Sequence, residues 1–176
     1  MPESLSEQAG AAEISAKSPT KALLFDLSGI DLGARIADKA EIAKWNPHRG
    51  NMAFLDSVVW VAEDYSRAIG LRQVRADEFW VAGHFPDKPM YPGVFQIETA
   101  AQLACFVFAR RKDKPTLAAF LRIENCSFRS MVEPGDDLFI LLQDVKFHRK
   151  RFIVDVQGVV GTRVTFECQI SGMAME

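Results

Sequence analysis

The chain has little of what most specialised protein classes need. Among its 176 residues are only three cysteines, Cys105, Cys126 and Cys168, widely spaced. No CxxC pair exists, so the usual zinc-site spacings and a disulfide framework are both excluded, and a reducing, cytoplasmic compartment is expected. Charge of one sign is also lacking. With 21 Lys and Arg against 23 Asp and Glu the net charge is −2, without the basic excess of a nucleic-acid-binding domain. No uninterrupted apolar run is long enough to cross a membrane. Residues 1–20 hold no apolar core of signal-peptide length, are rich in Ser, Ala and Glu, and read as a disordered leader. Histidine is scarce too, so His48, His84 and His148 are the only candidates for imidazole chemistry.

What is present suits one globular domain over residues 21–176. Residues 23–42 read as weakly helical and stop at the Asn46-Pro47-His48-Arg49-Gly50 turn, where Pro and Gly punctuate the chain. Residues 52–62 and 66–75 read as strands, and a proline-rich loop covers 83–92. Residues 94–111, VFQIETAAQLACFVFARR, lack Gly and Pro, are rich in Ala and start after Pro92-Gly93. They predict a helix, apolar on nearly every face and therefore buried all round. Strands follow at 117–128, 138–147, 152–160 and 164–172, separated by short turns that imply antiparallel pairing. The expected class is α+β: a long central helix wrapped by an antiparallel sheet of five to seven strands.

The segment with chemical content is GHFPDKPMYPGVFQIETAAQ, residues 83–102. His84 lies in a proline-stiffened loop, and Glu98 follows fourteen residues later among Phe95, Ile97 and Ala101. A carboxyl group in such surroundings loses hydration, which favours its protonated form. Gln102, at i+4, shares its helix face and can orient it. Gly93 and Val94 open the helix, where free backbone N–H groups favour negative charge and the missing Gly93 side chain lets a carbonyl approach. A base, a buried acid and an oxyanion donor together make a proton-transfer site. Each residue alone has a plainer reading, since loop histidines are mostly solvated and glutamates in apolar helices are mostly paired. The chemical reading rests on their conjunction. His48, beside Arg49 in its turn, reads as structural. Lys146, His148, Arg149, Lys150 and Arg151 form a basic hairpin, either a solvated turn or a landing site for an acidic partner, with Arg110, Arg111, Lys112 and Lys114 extending the patch.

The pattern His84-Phe85-Pro86, Pro89, Pro92-Gly93-Val94, Glu98, Gln102 resembles the signature of the FabZ-type 3-hydroxyacyl-(acyl-carrier-protein) dehydratases of the hot-dog fold. Pro47-His48-Arg49 and Phe128-Arg129 with Pro134-Gly135-Asp136 resemble further segments of that family. Glu98 favours the FabZ type, because FabA-type relatives usually carry Asp there. Three positions depart from the pattern: Asp87 for a common Gly, Ser130-Met131 for a basic residue and Pro, and Ala119 where many members have a Tyr gating the acyl tunnel. The resemblance implies elimination of water from a 3-hydroxyacyl thioester, with His84 and Glu98 catalytic and Gly93, Val94, Gln102 and Phe85 around the substrate. It also implies no cofactor beyond the phosphopantetheine arm of an acyl carrier protein, which the 146–151 hairpin would receive. A homodimer with active sites shared between chains, or a trimer of dimers, is expected. The competing expectations are a hydratase or thioesterase acting on acyl-CoA, and a non-enzymatic acyl-binding paralogue.

Overall fold

A computed structural model describes residues 21–175, so the leader expected at 1–20 lies outside the described residues. The elements in chain order are β1 (Ala37–Asp38), α1 (Lys39–Trp45), β2 (Ser57–Val61), β3 (Arg67–Gln73), α2 (Gly93–Arg111), β4 (Ala118–Phe128), β5 (Asp137–Phe147), β6 (Arg151–Val160) and β7 (Arg163–Ala174). All seven strands join one sheet in the order β1-β2-β3-β5-β6-β7-β4, and every pairing is antiparallel. The expected α+β hot-dog architecture is therefore present. α2 begins at Gly93, one residue before the expected start, and every residue from Thr99 to Ala109 is buried.

The core lies between α2 and one face of the sheet. Leu103, Ala104, Val107 and Phe108 meet Ala68, Leu138, Ile140, Leu142, Val154 and Val156 there. Burial of such side chains contributes about 1.5–3 kcal/mol each relative to exposure. At Gly70 on β3, an added Cβ would come within 2.7 Å of Leu55, so the absent side chain is what lets the layers close.

Residues 23–42 depart from the expected helix. Only Lys39–Trp45 is helical, capped by Asp38, whose side chain accepts from Glu41 N at 2.8 Å. Upstream, Asp26 and Asp31 each capture the backbone N–H two residues on, Ser28 N at 3.0 Å and Gly33 N at 2.9 Å, and Gly29 adopts φ +78°. Local side-chain acceptors of this kind compete with helical hydrogen bonding. The segment instead spreads Leu23, Leu24, Leu27, Ile30 and Leu32 over the outer face of the sheet, against Val59, Ile69, Leu71, Phe139 and Leu141. Buried Gln157 pins it there, accepting from Leu24 N at 3.0 Å and donating to Ala22 O at 3.2 Å.

The strand expected at 52–62 is shortened at its start. Gly50–Met52 is a 3-10 turn, and the N–H groups of Phe54 and Leu55 are taken by Gln102, so they cannot enter a ladder. At the far edge, among the described residues β4 pairs only with β7 and leaves Phe120, Leu121, Ile123 and Phe128 exposed. A long apolar edge strand is a surface that another chain can cover.

Candidate active site

His84 is held by two neighbouring anchors. Its N–H and that of Gly83 both donate to Trp80 O, at 2.9 and 3.1 Å, while Met90 N donates to His84 O at 2.8 Å. The His84–Phe85 peptide bond is cis and the two rings stack with centroids 4.2 Å apart. The imidazole Nδ1 lies 2.7 Å from Met90 O. A carbonyl oxygen can only accept, so Nδ1 carries the hydrogen and, in the neutral ring, Nε2 is left as a bare acceptor. That is the tautomer a general base requires.

The loop that presents His84 is fastened to β3 by a buried cation. Arg72 pairs with Glu78, and with Asp56 at 3.2 Å, while Glu78 also accepts from Trp80 Nε1 at 3.2 Å. The guanidinium lies 5.6 Å from the Phe54 ring centre and 5.4 Å from that of Tyr91. Burial works against the Arg72 charge, but Tyr91, Asp56 and Glu78 more than compensate and hold the group above its ordinary value. Burial pushes the Tyr91 phenol up to about 12, with Arg72 pulling the other way.

His84, Phe85, Gly93 and Val94 line one cleft of about 550 Å³, together with Phe128 and Met131. Pro92 precedes α2 without supplying a side-chain cap, and the first N–H groups of any helix lack intrahelical partners. The space above Gly93 has an occupant in the single chain: a Cβ there would meet the Phe128 ring at 2.6 Å. The vacancy read for a substrate carbonyl is thus where an aromatic ring packs, and the open side of these N–H groups is the cleft.

Glu98 does not line that cleft. Five residues along a helix place it about 140° round from Gly93 and about 7.5 Å further on. Its carboxylate accepts from Gln102 Nε2 at 2.8 Å and lies 3.4 Å from His48 Nε2. The side chain is 29% exposed, so the full burial expected from its apolar neighbours is not met by one chain. Burial of α2 is continuous only from Thr99 to Ala109, while Val94 in its first turn is exposed. Gln102 is more occupied than its i+4 spacing suggested: it donates to Met52 O at 2.7 Å and accepts from Phe54 N at 3.0 Å and Leu55 N at 3.1 Å. His48 is the residue that sequence reasoning set aside as structural. Fifty residues separate it from Glu98, and only the fold brings them together.

The basic hairpin forms as expected, closed by His148 N to Arg151 O at 2.8 Å, with Lys146, His148, Arg149, Lys150 and Arg151 all exposed. Lys112 and Lys114 share a cleft of about 390 Å³ with Arg149 and Lys150. Arg110 and Arg111 do not extend the patch freely. Arg110 lies over the Trp45 ring and 3.7 Å from Glu41, and Arg111 pairs with Asp144 over Phe147. The hairpin packs near the C-terminal end of α2, through Phe147 and Phe152 on Phe108, about 23 Å along the helix from Gly93. Among the described residues no helix is long and apolar enough to cross a membrane.

Residues 46–169 match the family model described as a FabA-like domain. A 3-hydroxyacyl-[acyl-carrier-protein] dehydratase FabZ of Anoxybacillus flavithermus is 36% identical over 111 residues, 62% of this chain and 78% of the relative. The FabZ dehydratase of Bacillus cereus is 34% identical over 136 residues, 73% of this chain and 94% of the relative. Among solved structures, the dehydratase heterocomplex ApeI:P from Xenorhabdus doucetiae superposes with TM-score 0.67 at 16% identity, covering 77% of this chain and 91% of that one. A hypothetical thioesterase with coenzyme A from Streptococcus pneumoniae gives 0.52 at 11% identity, covering 68% and 84%. At such identities the structural likenesses speak for the fold alone.

Proposed function

This chain belongs to the FabA-like domain family, and from that premise we propose that it is a 3-hydroxyacyl-[acyl-carrier-protein] dehydratase of fatty acid biosynthesis, working in the cytoplasm as a homodimer with shared active sites. The observation that carries the reading is the His84 ring, locked by Met90 O into the tautomer that leaves Nε2 free beside the N-terminus of α2. His84 Nε2 takes the proton from C2 of the substrate. The negative charge that develops on the thioester oxygen is met by the backbone N–H groups of Gly93 and Val94. A carboxyl group then protonates the C3 hydroxyl, which leaves as water, and the product is the trans-2-enoyl thioester. Proton balance is restored when the proton held by His84 returns to that carboxylate.

Glu98 is the acid, and it comes from the other subunit. In one chain it points away from the His84 cleft, it is partly exposed, and the apolar edge of β4 is uncovered. A two-fold partner lying along β4 and α2 removes all three features together, burying the partner's Glu98 opposite His84. The carrier is received by Arg149 and Lys150 of the hairpin with Lys112 and Lys114. Because that cleft is a full helix length from Gly93 of its own chain, the acyl group is delivered to a site whose other half lies across the dimer.

The decisive assay offers 3-hydroxyacyl thioesters on carrier protein and on CoA, at several chain lengths, and follows the 2-enoyl product. Turnover faster on the carrier than on CoA supports the reading. Turnover on CoA alone replaces the carrier with CoA, and hydrolysis of the thioester without enoyl formation overturns the dehydratase assignment.

A further inference from the structure

The His48–Glu98 contact, unforeseen in the sequence, has a chemical consequence that rests on the dehydratase reading. Both polar neighbours of the Glu98 carboxylate address the same oxygen: Gln102 Nε2 at 2.8 Å and His48 Nε2 at 3.4 Å are both measured to Oε1. His48 Nδ1 is buried and has no partner among the described residues. A hydrogen on Nδ1 would be a buried donor with nothing to bond, the more costly of the two ring-nitrogen vacancies, so the hydrogen belongs on Nε2, the nitrogen 3.4 Å from Glu98 Oε1. Distances of this kind in a site without substrate are often long and tighten when it is filled.

The turn around His48 is built to hold it there. Arg49 donates to three carbonyls, Ala43 O, Asn46 O and His48 O, each at 2.7 Å. Asn46 Nδ2 donates to Gln102 O at 2.8 Å, tying the turn to α2 one helical turn beyond Glu98. The charged group next to His48 in the turn is Arg49, whose guanidinium is occupied by those carbonyls. From α2, Cys105 is near enough to feel the Glu98 charge, and burial pushes its thiol up to about 12.

We infer that His48 is a positioning residue for Glu98: with Gln102 it saturates Oε1, so that Oε2 is the oxygen that gives its proton to the substrate's C3 hydroxyl. Two donors on one oxygen fix the carboxyl plane and make Oε1 the poorer base, leaving the acidic O–H on the oxygen that faces the substrate. No bond to His48 forms or breaks, and the imidazole touches no reacting atom.

The test compares His48→Phe, which keeps a ring and removes the donor, with His48→Gln, whose amide nitrogen returns an N–H near the same point. Both are measured for kcat and KM on the same 3-hydroxyacyl thioester and for thermal midpoint. His48→Phe should lose about tenfold or more in kcat, the loss of about 1.4 kcal/mol of transition-state stabilisation, with KM within about twofold. His48→Gln should recover kcat to within about threefold of wild type. Equal losses in both variants, a loss confined to KM, or a His48→Phe enzyme within about threefold of wild type each overturn the positioning role. The dehydratase reading fails separately, by absence of enoyl product from the unaltered protein.

Discussion

Gln102→Leu separates the structural work of the site from its chemistry. The wild-type amide satisfies the N–H groups of Phe54 and Leu55, both 1% exposed, besides Met52 O and Glu98 Oε1. Leucine has nearly the same volume but leaves the two buried N–H groups without partners. Each unsatisfied buried group costs about 1–3 kcal/mol, so the pair costs about 4 kcal/mol. That is a large share of the roughly 5–15 kcal/mol by which domains are stable. At about 2–4 °C per kcal/mol for a chain of this size, the midpoint should fall by roughly 8–16 °C. Glu98→Gln is the control, since it removes only an acceptor on a partly exposed side chain and should shift the midpoint by less than about 2 °C. Both variants should lose about a hundredfold or more in turnover, Gln102→Leu through a misoriented Glu98 and Glu98→Gln through the missing acid. Differential scanning calorimetry and enoyl formation, on the same preparations, supply the two readouts. A Gln102→Leu midpoint within about 3 °C of wild type would refute the claim that this amide is what closes the 52–55 segment onto α2. Turnover of Glu98→Gln within about threefold of wild type would remove Glu98 from the mechanism.

Three further outcomes are expected. If sites are shared, His84→Ala and Glu98→Ala homodimers are inactive, but co-refolding them restores up to about a quarter of wild-type activity, since half the dimers are mixed and each has one intact site; no recovery despite mixed dimers proven by native mass spectrometry would show that each site is built within one chain. Reversing Arg149 and Lys150 to Glu should raise KM for carrier-bound substrate, less so at high salt, and leave a small pantetheine thioester nearly unaffected; equal losses on both substrates would disprove docking there. The Tyr91 phenol, raised to about 12 by burial, stays protonated in the folded chain while the unfolded chain ionises near 10, so stability is full below pH 10 and is lost as pH rises toward 12; Tyr91→Phe should flatten that alkaline decline in urea titrations, and an unchanged slope would mean that the buried phenol is not its source.

How much of this was legible before the fold is clearest residue by residue. α2 was legible because its signals are local: Pro92-Gly93 marks its start, and an Ala-rich stretch without breakers runs to Arg111. The last three hairpin strands were legible for the same reason, with turn residues between them. The His84 loop and the i+4 relation of Glu98 to Gln102 also follow from short-range spacing, and the family signature lies entirely within residues 84–102. Residues 23–36 were misread because apolar content alone does not tell a helix from a strip of chain laid on a sheet. The side chains of Asp26 and Asp31 decided it, together with an outer sheet face of Val59, Ile69 and Leu141 that only the assembled strands create. Gln102 as a bridge to Phe54 and Leu55, Arg72 as the anchor of the His84 loop, and His48 beside Glu98 all join residues distant in sequence or in different elements. Composition and spacing determined which residue types this protein brings to its chemistry and on which elements they ride. Which side of α2 Glu98 faces, how far it is buried, and that it shares no cleft with His84 of its own chain were decided only by tertiary structure, because orientation and desolvation are properties of packed surfaces that no local pattern specifies.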